Sequence, residues 1–149
     1  MYKSILVPTD GSPLSGHAID EALSLAASLG ARVTLLTVIE PFHVIAYVPE
    51  QIVETRDAYD RHMRQEAERR MQEGEAKARA RNVGCETAIV SSGDPHEAII
   101  ATANERGCDL IAMASHGRRG VKALVIGSVT AKVLTHSRIP VLVYRREDA

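Results

Sequence analysis

The residues of this 149-residue chain best suited to chemistry lie in one stretch. It runs from Ala114-Ser115-His116-Gly117 through Arg118, Arg119 and Gly120 to Gly127-Ser128. Small residues let backbone come close to a ligand. Gly127-Ser128 opens a helix, whose first N–H groups lack intrahelical partners and so form an anion site. The Ser128 hydroxyl could cap that helix when the site is empty or bond a phosphate oxygen when it is full. Thr130 lies in the same first turn, and Arg118 and Arg119 add positive charge nearby. The same residues also read as turn glycines, a serine cap and solvated arginines. Spacing leaves both readings open, because the chain has neither a GxxxxGK[ST] loop nor a GxGxxG after its first strand.

A second segment, Pro8-Thr9-Asp10-Gly11-Ser12, sets a carboxylate at the end of a buried strand. Asp10 could accept a hydrogen bond from an adenine or ribose group there, or, just as cheaply, cap the turn that follows. Catalysis finds less support. The 6 histidines are scattered, with no HExxH pair, and no serine stands in a GxSxG elbow. His116 alone falls within the site, where a positioning role suits it better than general acid–base work. Neither enzyme activity nor a metal site is expected. Cys85 and Cys108 lack CxxC or Cys/His ligand spacing and are expected to be buried free thiols.

The elements that must position these residues alternate. Ser4-Ile5-Leu6-Val7 reads as a strand, followed by a helix over about residues 15–29 with Ala18, Ala22, Ala26 and Leu29 at helical spacing and Gly30 as its stop. Arg32–Ile39, RVTLLTVI, is a nearly continuous apolar run of the kind covered on both faces in a parallel sheet. Residues 40–54 contain Pro41 and Pro49, lack a period, and read as a long excursion. Over residues 53–81, Tyr59, Met63, Ala67 and Met71 recur near every fourth position among charges of both signs, predicting a long amphipathic helix that packs by these residues, although a lid or partner-binding helix would show the same pattern. Residues 86–90, ETAIV, form a third strand. Asp94-Pro95-His96-Glu97 supplies an N-cap, a proline at the first helical position and a capping glutamate, and that helix ends before Gly107. The strand DLIAMA, the glycine-punctuated loop, a helix from near Ser128 and the strand PVLVYR follow.

The pattern β-α-β-α-β-α-β-α-β predicts an α/β fold, a five-stranded parallel sheet with helices on both faces. In such sheets ligands bind beyond the carboxyl ends of the strands at the topological switch point, which singles out the loops after the first and fourth strands. One domain spanning residues 1–149 is expected from the length. Hydrophobic residues at 45% and charged ones at 25% argue against disorder. Aromatics at 3% and a net charge of −1 remove both stacking platforms and a basic surface, so no nucleic-acid partner is expected. With no signal-like or membrane-length apolar stretch, the expectation is a cytoplasmic protein without a membrane partner.

Taken together, ILVPTDGS near the amino end and DLIAMASHGRRGVKALVIGSVTAKVLTHSRIPVLVYR near the carboxyl end strongly resemble the universal stress protein family. The likeness runs through the chain in order, apart from about residues 41–73. Members that bind ATP carry a glycine, two residues, a second glycine, nine residues, then glycine followed by serine or threonine. Gly117, Gly127 and Ser128 match, with RRGVKALVI between the glycines, whereas Ala114 stands in the first glycine's place. The resemblance implies the doubly wound fold of the adenine-nucleotide α-hydrolase-like group. It also implies that Gly117, Gly127, Ser128, Val129 and Thr130 surround the phosphates, mainly through backbone N–H groups. Asp10 with Pro8 and Thr9, and Val38 at the end of the second strand, would frame the adenosine, with Met113 and Ala114 alongside.

The ligand so implied is ATP or AMP, with or without Mg2+, in a stress or regulatory protein with slow or no turnover. The extra methyl of Ala114 is expected to weaken contact without losing the site, unless the position needs φ > 0, where alanine would cost of order 1 kcal/mol or more. The family further suggests a homodimer through the last strand, Val141–Tyr144, and an apolar edge strand left bare would invite such pairing. Two other functions compete. One is an interaction protein that keeps the fold without nucleotide, for which Ala114 is the support. The other is an enzyme of the wider superfamily, whose HIGH-type and SGGxDS-type signatures are absent.

Overall fold

The computed structural model describes residues 1–42, 49–117 and 126–145, with the side chains of residues 49–55 outside the description. Strand and helix alternate through it: β1 (Ser4–Pro8), α1 (Pro13–Leu29), β2 (Arg32–Ile39), α2 (Pro49–Ala80), β3 (Cys85–Ser91), α3 (Pro95–Glu105), β4 (Leu110–Ala114), α4 (Ser128–His136) and β5 (Val141–Tyr144). The strands form one 5-stranded sheet in the order β3-β2-β1-β4-β5. Every pairing is parallel, with Ile5 opposite Val33 on one side and Leu110 on the other. The fold is thus the α/β doubly wound sheet that the alternation predicts. Strand order reverses between β1 and β4, so their following loops part and leave a crevice.

Alternation of side chains across the strands divides the core into two layers. Ile5 and Val7 of β1, Val33 and Leu35 of β2, and Leu110 and Ala112 of β4 pack with Ile19, Ala22 and Leu23 of α1 and Met71 and Ala78 of α2. Leu6, Leu36, Ile111 and Met113 face the other way, onto Ile99 and Ala103 of α3 and Val133 of α4. Aliphatic side chains, with Met71 and Met113, make up most of both layers, which is how a chain so poor in aromatics closes its core.

Local chemistry explains where the helices begin and end. Ser12 caps α1, accepting from the Ser15 N–H at 3.2 Å. Pro13 takes the first helical position, so α1 starts two residues before the predicted Ser15. Gly30 ends it in the left-handed region at φ 67. Helix α2 starts at Pro49, inside the stretch expected to be an excursion: a proline that punctuates a loop is equally pre-organised for a first helical turn. Residues 43–48 of that excursion lie outside the described residues.

The expected capping box of α3 does not form. Asp94 occupies the N-cap position without a side-chain cap, its own N–H donates to Ser92 Oγ at 3.1 Å, and its carboxylate turns to His96. Of the two thiols, Cys108 is buried as expected, while Cys85 is only partly buried. Burial, with Glu75 and Glu86 nearby, pushes the Cys85 thiol up to about 11, so it stays protonated near neutral pH.

At the amino ends of the strands, the Asp109 carboxylate ties β1 to β4, accepting the N–H groups of Lys3 at 3.0 and 3.2 Å and of Ser4 at 3.0 Å. Burial alone would raise this carboxyl, but the bonds from Ser4 and Lys3 outweigh it and hold its pKa below the ordinary value. A depressed folded-state pKa means that this stabilisation is complete above the unfolded value of about 3.9 and is lost as pH falls through the folded value. Asp109→Asn should therefore flatten the acid limb of the melting temperature plotted against pH, most visibly below about pH 4. A variant whose acid limb matches that of the unaltered chain would remove Asp109 from this role.

Candidate functional site

Two nets of hydrogen bonds build the crevice at the carboxyl end of the sheet. Beyond β1, the Thr9 N–H donates to the Leu36 carbonyl at 2.8 Å, extending the strand toward β2. The buried Thr9 hydroxyl meets Ser15 Oγ at 3.0 Å and accepts the Gly11 N–H at 3.2 Å. Asp10 Oδ1 accepts the Ser12 N–H at 2.9 Å, so the turn-capping use of this carboxylate, one of its two sequence readings, is present. Gly11 carries φ 80, and a Cβ there would also strike the Arg70 guanidinium. The turn thus demands glycine for its backbone, and the arginine lying against it would have to shift to admit a side chain.

The second net joins β4 to α4. The Ser115 N–H donates to the Tyr144 carbonyl at 2.9 Å, and the Gly127 N–H returns the chain to the Ser115 carbonyl at 2.7 Å. Thr130 Oγ1, buried, donates to the Ala114 carbonyl at 2.9 Å and clasps the first turn of α4 onto the strand end. Gly127 is the N-cap, so Ser128 does not cap the helix as expected but occupies its first helical position, exposed. The cap position is crowded: a Cβ on Gly127 would stand 3.0 Å from His116 Cα and 3.3 Å from the Ser115 carbonyl oxygen, which favours glycine there. Within α4 the Ala131 N–H is bonded to Gly127 O. The N–H groups of Ser128, Val129 and Thr130 precede it and, by helix geometry, have no intrahelical acceptor. Arg118, Arg119 and Gly120 lie outside the described residues.

Between the two nets lies a cavity of about 630 Å3. The residues that the family resemblance assigns to the ligand all stand on its wall: Pro8 at the end of β1, Thr9 and Asp10 after it, Val38 on β2, Met113 and Ala114 on β4, Gly117 in the following loop, and Gly127, Ser128, Val129 and Thr130 at the start of α4. The volume falls within the roughly 300–1,000 Å3 that small-ligand sites occupy. Its chemistry is graded. Leu36, Val38, Ile99 and Met113 offer an apolar slot, Asp10 and Glu40 offer carboxylates, and the α4 N-terminus offers N–H groups with the positive end of the helix dipole. Gly117 fits only because it lacks a side chain, since a Cβ would overlap the Asp10 carboxylate.

Ala114 sits on this wall without strain. Among the described residues the one non-glycine with positive φ is Asn82 at φ 55, so Ala114 needs no left-handed backbone. Its methyl packs with Leu14 and Ala18 of α1.

Helix α2 contributes wall residues that the sequence did not mark as part of a site. Tyr59 and Met63, expected to be packing residues, line the cavity, and Arg70 lines it with them. Tyr59 donates to the Glu40 carbonyl at 3.2 Å and its ring lies 5.0 Å from that of Phe42. A signal for Arg70 was present: it falls seven residues after Met63, on the same helix face, so it is a cation on the apolar stripe. His116 also lines the wall, with Nδ1 3.3 Å from the Ser115 hydroxyl.

The chain is similar to known proteins in sequence and fold. Residues 1–145 match the model of the Universal stress protein family. Universal stress protein YxiE of Bacillus subtilis is 34% identical, with 97% of this chain and 100% of that protein aligned. Universal stress protein MJ0577 of Methanocaldococcus jannaschii is 30% identical over 100% of this chain and 98% of its own. The solved structure of MJ0577 superposes with a TM-score of 0.85, covering 100% of this chain and 99% of that one. A universal stress protein family structure from Burkholderia pseudomallei, 32% identical, gives 0.75 with 97% of each chain covered. An Arabidopsis thaliana family protein with AMP bound gives 0.69 at 20% identity, covering 97% and 92%.

Proposed function

The chain belongs to the universal stress protein family, and from that premise we propose that the cavity between β1 and β4 binds an adenine nucleotide, ATP or AMP. The observation that carries this reading is the meeting of every motif residue, drawn from β1, β2, β4 and α4, on the wall of one cavity. The N–H groups of Ser128, Val129 and Thr130 suit phosphate oxygens, which favour a helix N-terminus. The slot between Val38, Ile99 and Met113 suits a purine ring, and Asp10 suits a ribose or adenine donor. At 20% identity the Arabidopsis protein carries the fold to this chain and not its ligand, so the ligand rests on the cavity. Magnesium takes oxygen donors, commonly one or two carboxylates beside phosphates. Asp10 and Glu40 are the wall residues that could hold it with ATP.

The protein is proposed to hold the nucleotide with little or no turnover, as a regulatory protein of the cytoplasm, with no nucleic-acid or membrane partner. No helix among the described residues is long and apolar enough to cross a membrane. A homodimer through Val141–Tyr144 is part of the same reading: β5 is an end strand of the sheet and Leu142 is 36% exposed. Sedimentation would read that state, a monomer at micromolar concentration refuting it.

The alternative of a family member without nucleotide drew its support from Ala114, whose methyl packs on α1. Calorimetric titration with ATP and with AMP, each with and without magnesium, decides between the two. Binding tighter than millimolar is expected, and no heat at millimolar nucleotide would sink the proposal. Phosphate release measured on the same samples should not exceed that of buffer.

A further inference from the structure

Beside the cavity, where Pro95 forms part of its wall, the first turn of α3 and the last residue of α4 gather side chains that lie far apart in sequence. Asp94, His96 and Glu97 each place one donor atom within 4.8 Å of the others. His136 brings a second imidazole from α4, its ring centroid 5.5 Å from that of His96 and tilted by 30° to it. We propose that Asp94, His96, Glu97 and His136 form a binding site for a divalent transition-metal ion, zinc by donor chemistry, linking α3 to α4.

The donor set decides the class of ion. Two imidazoles with two carboxylates match zinc, copper or nickel, whereas calcium and magnesium prefer oxygen alone. Zinc holds imidazole nitrogens at about 2.0–2.1 Å, and two rings on one tetrahedral ion then have centroids roughly 5 Å apart. The observed separation is close to that.

The cluster also departs from what helix chemistry alone would select. Asp94 stands at the N-cap of α3 yet makes no side-chain cap. Its Oδ1 instead meets His96 Nδ1 at 2.5 Å, so these two donor atoms already lie side by side. The His96 side chain is 13% exposed and held in place, while Asp94 at 44% remains reachable by solvent. His136 and Glu97 are exposed, so an ion can enter without unfolding the chain. Bound there, it would restrain α4, whose first turn frames the nucleotide cavity.

Titration of zinc chloride into the full chain by calorimetry, without nucleotide, tests the site independently of the nucleotide reading. About one equivalent is expected to bind in the micromolar range or tighter, with a rise in melting temperature. His136→Gln, a change at an exposed side chain that leaves the core intact, should weaken binding by at least about 10-fold. Asp94→Asn should weaken it as well, and Cys85→Ser should leave it unchanged. No zinc heat, or affinity undiminished in His136→Gln, overturns the proposal, as does loss of binding in Cys85→Ser alone.

Discussion

Gly117→Val is expected to lower adenine-nucleotide affinity by about 100-fold, a loss of roughly 2.7 kcal/mol, while shifting stability by about 1 kcal/mol or less. A Cβ at this position would overlap Asp10 Oδ2 and stand 3.3 Å from its Cγ, and valine adds two further methyl groups to that clash. Either Asp10 turns away and gives up the Ser12 N–H that it accepts at 2.9 Å, or the loop after β4 withdraws from the α4 N-terminus. Both outcomes disturb the cavity, yet Gly117 is exposed and the buried layers beneath are not touched. The melting temperature should therefore fall by only about 2–4 °C for a chain of this size. Gly93→Ala is the matched control, because its added Cβ meets no atom within 4 Å. Equal nucleotide affinity in Gly117→Val and the unaltered chain would place the ligand elsewhere.

Some elements could be read from residues alone. Arg32–Ile39 matched the structure at both ends because a strand buried on both faces is written as a nearly unbroken apolar run, whereas PVLVYR overran the last strand, Val141–Tyr144, by one residue at each end. Met113 and Val129 came from the family resemblance, whereas the loops after β1 and β4 were legible from the residues: once a parallel sheet is inferred, its geometry assigns ligands to the loops where strand order reverses. That inference names loops and not what closes over them. A helical period shows which face of α2 is covered but not by what, so Tyr59 and Met63 read as packing. The Asp94-x-x-Glu97 spacing has the form of a capping box, yet Ser92 Oγ takes the Asp94 N–H and His96 takes the carboxylate. Local competition of that kind leaves no trace in spacing. Nor does the approach of His96 to His136, since the two reside on different helices and only packing of α3 against α4 brings them together.

Ile111→Ala should produce the largest stability loss among these variants, about 2–5 kcal/mol. Ile111 is 0% exposed as the second residue of β4, paired with Leu6 of β1 and Val141 of β5. Its side chain packs in the layer containing Leu36, Ile99 and Val133. Truncation to alanine removes three carbons from a site walled by a strand on each side and two helices above, where neighbours cannot move inward without breaking sheet pairing. The void therefore stays largely open and its cost adds to the lost transfer free energy. At about 2–4 °C per kcal/mol, the melting temperature should drop by roughly 5–20 °C. A loss below about 1 kcal/mol would mean that α3 and α4 settle onto the sheet after truncation, contrary to a rigid second layer. Nucleotide titration of the same variant then separates scaffold from site. Ile111 lies beneath the cavity without lining it, so affinity measured well below the melting temperature should fall less than in Gly117→Val. An equal fall would mean that the separation of Asp10 from the α4 N-terminus is set by packing in the α3/α4 layer, and that the two hydrogen-bond nets at the strand ends do not hold the crevice by themselves.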